Sequence, residues 1–89
     1  MKPDPTKTRI ITPTHSIEVG TASWSDSETS IRNRHDLENG KFTPHRSSEL
    51  PIRDIRPIME VAAQYDLLSP ADGAGIIEAI AASLGRRSQ

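Results

Sequence analysis

Three histidines, at positions 15, 35 and 45, are the side chains best suited to proton transfer or metal binding. A nucleophilic site also needs a base within hydrogen-bond reach of a serine or threonine, on a strained turn that exposes the nucleophile. None of the many serines sits in such an elbow, so no enzymatic activity is expected. His35 and His45 could face each other across a hairpin with Asp36 beside them, a donor set that suits zinc. Their spacing matches no zinc signature, and no metal site is expected. The chain has no cysteine and therefore no thiolate ligand or nucleophile. Gly73 and Gly75 lack the pattern and the lysine of a phosphate-binding loop, and no cofactor is expected.

A second constellation is cationic and aromatic. Arg32 and Arg34 alternate along one segment, Lys41, Phe42 and Arg46 follow on the next, and Trp24 precedes them. Cations on a twisted sheet can contact backbone phosphates while aromatic rings stack on bases, which is the physics of single-strand binding. A structural alternative stands beside it. Arg32 and Arg34 could form a solvated strand face paired with Glu28 or Glu38, with Phe42 and Trp24 as core residues.

These residues need a hairpin to position them. Residues 29–35 place Ile31 on one side and Arg32 and Arg34 on the other, at period two. Asn39-Gly40 is a hairpin turn, expected to supply the positive φ angles such turns need. Residues 41–50 form the return, which Pro44 must bend or confine to a sheet edge. Upstream, Arg9-Ile10-Ile11-Thr12 is a short β-branched run. In residues 16–24, Ile17, Val19 and Thr21 share one face, with Ala22 and Trp24 on the other. That change of side suggests a bulge near Gly20.

Helical spacing takes over after Leu50. Ile55, Ile58, Met59 and Ala62 repeat on one face, and Pro57 is compatible only with a first turn. Ser69-Pro70-Ala71-Asp72 is a second helix start, with a cap, a proline at the first position and an acidic first turn. Ile76, Ile77, Ile80 and Leu84 form its apolar side, and Gly85 is a plausible stop. The second helix cannot serve as a DNA-reading helix, because its N-terminal end offers Ala71, Asp72, Gly73, Ala74 and Gly75 in place of polar and basic side chains. The expected fold is therefore α+β: a curved antiparallel sheet of three to four strands over residues 9–50, then helices at about 54–68 and 70–84. Residues 1–8 and 86–89 read as flexible tails around one domain spanning 9–85.

Composition limits the partners. The net charge is −1, so strong electrostatic binding of nucleic acid would need a local patch. Residues 28–56 hold six basic and five acidic side chains, whereas residues 57–89 hold two and four. Hydrophobic residues are 34% of the chain, a thin core for 89 residues without disulfides, so a homodimer is expected. Met1-Lys2-Pro3-Asp4-Pro5 has no apolar run behind it, and no stretch is long enough to span a bilayer. A cytoplasmic location without membrane attachment is expected.

Residues 31–46, Ile-Arg-Asn-Arg-His-Asp-Leu-Glu-Asn-Gly-Lys-Phe-Thr-Pro-His-Arg, resemble the positive cofactor four family of single-stranded-DNA-binding transcriptional coactivators. Ile31-Arg32 matches the family's strand start, Asp36 and Gly40 its acidic turn, and Phe42, Pro44 and Arg46 its return segment. Leu50 and a helix from about Asp54 follow in order. The match covers about a quarter of the chain. Ser47-Ser48 stands where the family has a basic-glycine step, His35 where an aromatic is usual, and the second helix is an addition. The resemblance implies a curved sheet packed on a helix, dimerisation through helices, and nucleic acid along the strand faces. Arg32, Lys41 and Arg46 would be backbone contacts, with Phe42 packing or stacking. The functional expectation is thus a single-stranded DNA- or RNA-binding accessory factor of transcription or replication. The alternative is a protein-interaction module without nucleic-acid binding, acting through helix 70–84 with Gly73, Ala74 and Ile77.

Overall fold

The structure, a computed structural model, describes residues 1–88. The fold is α+β, an antiparallel five-stranded sheet followed by two helices. The strands are β1 (Lys2–Pro3), β2 (Arg9–Thr12), β3 (His15–Thr21), β4 (Thr29–His35) and β5 (Ser48–Pro51), and the helices are α1 (Ile55–Gln64) and α2 (Pro70–Arg87). By its contacts the chain divides into two compact units, residues 1–55 and the residues from Arg56 onward, where the sequence suggested one domain over 9–85.

In the first unit β3 is the central element. It pairs with β4 in unbroken register from His15↔His35 to Thr21↔Thr29, so the expected bulge at Gly20 is absent on that side. The irregularity lies on the other side, where β2 slips against β3 between Ile10 and Thr12. Gly20 has a different role. It faces Pro3 of β1, and a Cβ there would come within 2.1 Å of the Lys2 carbonyl oxygen and 2.7 Å of the Pro3 Cα. Absence of a side chain thus lets the N-terminal segment dock, and residues 2–7 are ordered where a flexible tail was expected. Asp4 accepts from Thr6 N–H and caps a 3-10 turn over Pro5–Lys7, and Asp4 N–H donates to the Val19 carbonyl. Paired backbone on β3 outweighs the poor strand propensity of a Lys-Pro step.

The hairpin after β4 is present but differs from the expected turn. Gly40 N–H donates to the Leu37 carbonyl and Leu37 N–H to the Lys41 carbonyl, each at 2.8 Å. Only Gly40, at φ 82°, is left-handed in this loop, whereas Asn39 is not. This is the three-residue hairpin in which a type I turn is followed by a glycine bulge. The Asn39 carboxamide adds a bond from Lys41 N–H at 3.0 Å. The return bends at Pro44 into a 3-10 turn over Pro44–Arg46 before β5 forms the sheet edge.

At the end of the first unit a 3-10 turn over Ile52–Asp54 leads into α1, which has Pro57 in its first turn. The helix ends four residues short of Leu68, because Asp66 takes φ 54° and Leu67 N–H reaches back to the Ala62 carbonyl at 2.9 Å. Aspartate is among the few residues other than glycine that tolerate this conformation. Ser69 caps α2 by accepting from Asp72 N–H at 3.1 Å. Gly85 does not stop α2, which continues to Arg87, so residues 86 and 87 are helical where a tail was expected. No residue of α1 or α2 is buried.

If Gly20 is the seat of β1, Gly20→Ala should lower unfolding free energy by about 1–3 kcal/mol, the usual range for overpacking. Urea denaturation measures it, and a neutral or stabilising effect would contradict the docking.

Candidate functional site

The pairing of β3, β4 and β5 sorts side chains into two faces. Val19, Ile31 and Leu50 lie in one cross-strand row, with Ile17 one step along. Glu18, Arg32 and Glu49 form the corresponding row on the opposite face. Burial follows an unexpected order. The charged row holds the buried residues, Glu18 and Arg32, beside Ser30, which is completely inaccessible. The apolar row is only half-buried.

Arg32 lies directly opposite Glu18, and its Nε and Nη2 donate to Glu18 Oε1 at 2.9 and 2.6 Å. Arg34 donates from Nε to Asp36 Oδ1 at 2.8 Å, and its Nη1 lies 3.5 Å from Glu18 Oε2. The Asp36 hydrogen bond, aided by both carboxylate charges and opposed by burial, raises the Arg34 pKa above its ordinary value. A bridge between Asp36 and Phe42 sets the Phe42 ring over this group. The Arg32 and Arg34 guanidinium carbons lie 4.6 and 4.8 Å from its centroid, a double cation–π contact. The ring remains 41% exposed.

The site residues expected from sequence therefore separate. Arg32 and Arg34 share a face with each other, but they are neutralised by Glu18 and Asp36, not solvated and paired with Glu28 or Glu38. Each has a carboxylate partner within the sheet unit. Phe42 belongs to their group as its cover. Lys41, in the hairpin loop, and Arg46, in the 3-10 turn, are exposed and have no ion-pair partner among the described residues. Trp24 lies outside the strands, in the turn joining β3 and β4, where its indole Nε1 donates to Glu28 Oε2 at 2.6 Å. It joins neither the core nor the arginine group.

Histidine placement also differs from the hairpin pairing considered above. His35 stacks on His15 across β3 and β4, with centroids 4.1 Å apart and planes within 10°. His15 Nε2 meets Asn33 Oδ1 at 2.6 Å. His45 sits in the exposed 3-10 turn. No group of three or more metal-ligating side chains occurs among the described residues. Ser47, where the resembled family has a basic residue, fastens the 3-10 turn to β4: its hydroxyl accepts from His35 N–H at 3.1 Å and donates to the Thr43 carbonyl at 2.9 Å.

Glu49 was not singled out by its spacing. One of its carboxylate oxygens accepts from Ser23 N–H at 2.9 Å and from the Ser30 hydroxyl at 3.0 Å, and the Met1 amine lies 3.5 Å from the other. Burial pushes the Glu49 pKa up, but these hydrogen bonds and the amine charge outweigh it and leave it below the ordinary value. The period-two pattern of β3 could have located Glu18 on the arginine face. The Glu49–Ser23 contact joins residues 26 apart and has no local signal.

The chain matches no protein-family model, no curated protein and no solved structure. No helix among the described residues is long and apolar enough to cross a membrane.

The depressed Glu49 pKa has a definite pH consequence. Its contribution to stability is complete above the ordinary glutamate range, near about 4.3, and is lost as pH falls through the lower folded value. Glu49→Gln should therefore remove part of the stability at pH 7 and flatten the acid limb of a stability–pH curve. An unchanged acid limb would contradict the Glu49 network.

Proposed function

We propose that this chain is a self-associating interaction module whose packing is completed by a second copy. One observation carries the reading: among the described residues Ala22 is the only buried apolar side chain, while both units expose large ones. Ile10 and Ile11 are exposed in the sheet unit, and Ile58, Val61, Ile77 and Leu84 in the helical unit. Each such side chain contributes about 1.5–3 kcal/mol on full burial, and ordering a chain costs of the order of 1–2 kcal/mol per residue. Covering these surfaces supplies the compensation that the internal packing lacks. Isolated apolar residues are ordinary on protein surfaces, but successive turns of apolar residues along a helix mark an interaction face.

A second reading, single-stranded nucleic-acid binding by a transcription or replication accessory factor, keeps one specific support. The Phe42 ring contacts two guanidinium groups and is still exposed to solvent, and exposed Lys41 and Arg46 lie near it in sequence. This reading places stacking on Phe42 and phosphate contact on Lys41 and Arg46. Arg32 and Arg34 then support the ring and do not touch the ligand. With two free cations the salt dependence would be shallow.

Light scattering coupled to size exclusion tests the first reading. A mass of two chains at micromolar concentration is expected, and a strictly monomeric mass up to millimolar would refute it. Labelled oligonucleotide at low salt, added to the same sample, tests the second. Binding lost in Lys41→Glu/Arg46→Glu supports it, and no binding removes it.

A further inference from the structure

The self-association reading leaves open which surface joins the copies, and α2 supplies an answer that rests on that reading. Gly73, Ile77, Ile80 and Leu84 are spaced four, three and four residues apart. That alternation repeats every 3.5 residues, the spacing of a coiled-coil seam. Ile77, Ile80 and Leu84 are 71%, 53% and 57% exposed. Half-buried Ile76 borders the seam on one side, and alanine, glycine, serine, proline and charged residues make up the rest of the helix. The neighbouring helix leaves this seam uncovered, as the exposure of Ile77, Ile80 and Leu84 shows.

We infer that α2 pairs antiparallel with α2 of a second copy through this seam. Three features fix the occupant and its direction. First, setting Ile77 opposite Ile80 of the second copy also sets Gly73 opposite Leu84. A Cβ at Gly73 would meet nothing within 4 Å in its own chain, so its own packing does not require glycine there. The missing side chain leaves room for a leucine from the other copy. Second, the charges are segregated, with Asp72 in the first turn and Arg86 and Arg87 in the last. In the antiparallel register Asp72 falls on the same flank as Arg86 of the second copy, at both ends of the pair, with Arg87 at the end of the seam beside them. A parallel pair would gather both Asp72 side chains at one end and all the arginines at the other. Third, antiparallel helices oppose their dipoles. The arrangement is two-fold and self-complementary, so it closes at two copies.

The absence of cysteine makes the test direct. Gly73→Cys and Leu84→Cys are prepared separately in the full chain and oxidised alone and mixed. The expected result is a disulfide-linked dimer in the mixture, containing one of each variant, with little linkage in either alone. Linkage within each variant alone would indicate a parallel pair and overturn the proposal, as would no linkage in the mixture. A dimeric mass without mixed linkage removes the α2 seam while leaving self-association standing, whereas a monomeric mass removes both. Charge reversal adds a second readout. Asp72→Arg should weaken the dimer about tenfold through two symmetric end pairs. Adding Arg86→Asp and Arg87→Asp should restore it. Failure of the restoring variant to recover would also count against the seam.

Discussion

The buried contact between Glu18 and Arg32 is the constraint on which the sheet unit turns. Two opposite charges stand directly across β3 and β4, both buried, and neither can remain there alone. Removing one partner from such a pair typically costs about 3–5 kcal/mol, because the other is left buried and unpaired. A slip of one residue between β3 and β4 would send Glu18 and Arg32 to opposite faces. The pair thus enforces the register that aligns Val19, Ile31 and Leu50 on the reverse side. It also recruits its surroundings. Arg34 shares Glu18 with Arg32 and takes Asp36, and the hairpin turn at Gly40 brings Phe42 back over both guanidinium groups. A short edge strand then supplies Glu49, which ties the turn before β4 to the buried Ser30 hydroxyl.

Using the sheet interior for ion pairs has two consequences. Arg32 and Arg34 are committed to carboxylates, which leaves Lys41 and Arg46 as the hairpin cations without an ion-pair partner among the described residues. Apolar side chains are correspondingly left without internal cover, in the half-buried row of the sheet and along both helices. A buried ion pair contributes little net stability compared with packed hydrocarbon, and its better-attested value is specificity of register. On the proposed reading, the remaining stability comes from surface that is covered on association. The 3.5-residue spacing on α2, with unlike charges at its two ends, is the part of that surface with a defined geometry.

Much of this architecture is legible in the residues themselves. Period-two alternation locates β3 and β4, and Ser69-Pro70 with Asp72 locates the start of α2, because these signals act over a few neighbouring residues. The ends of both helices are less legible. Asp66 closes α1 by adopting a conformation usually left to glycine, and Gly85 remains helical because the Ser88 N–H still bonds to the Leu84 carbonyl. The ordered N-terminal segment is invisible locally, since β1 forms only through the space that Gly20 leaves on a distant strand. The arginines show the limit most clearly. Their alternation correctly places Arg32 and Arg34 on one face, but whether that face meets solvent depends on Glu18, Asp36 and Phe42 converging from three segments.

The central claim is that association supplies the cover which the charged sheet interior does not. The most direct measurement is the thermal midpoint of the intact chain over a hundredfold range of protein concentration. A midpoint that rises steadily with concentration, as mass action requires when assembly stabilises the folded state, is the predicted result. A reversible transition at the same temperature throughout, from a species of monomeric mass, would contradict it.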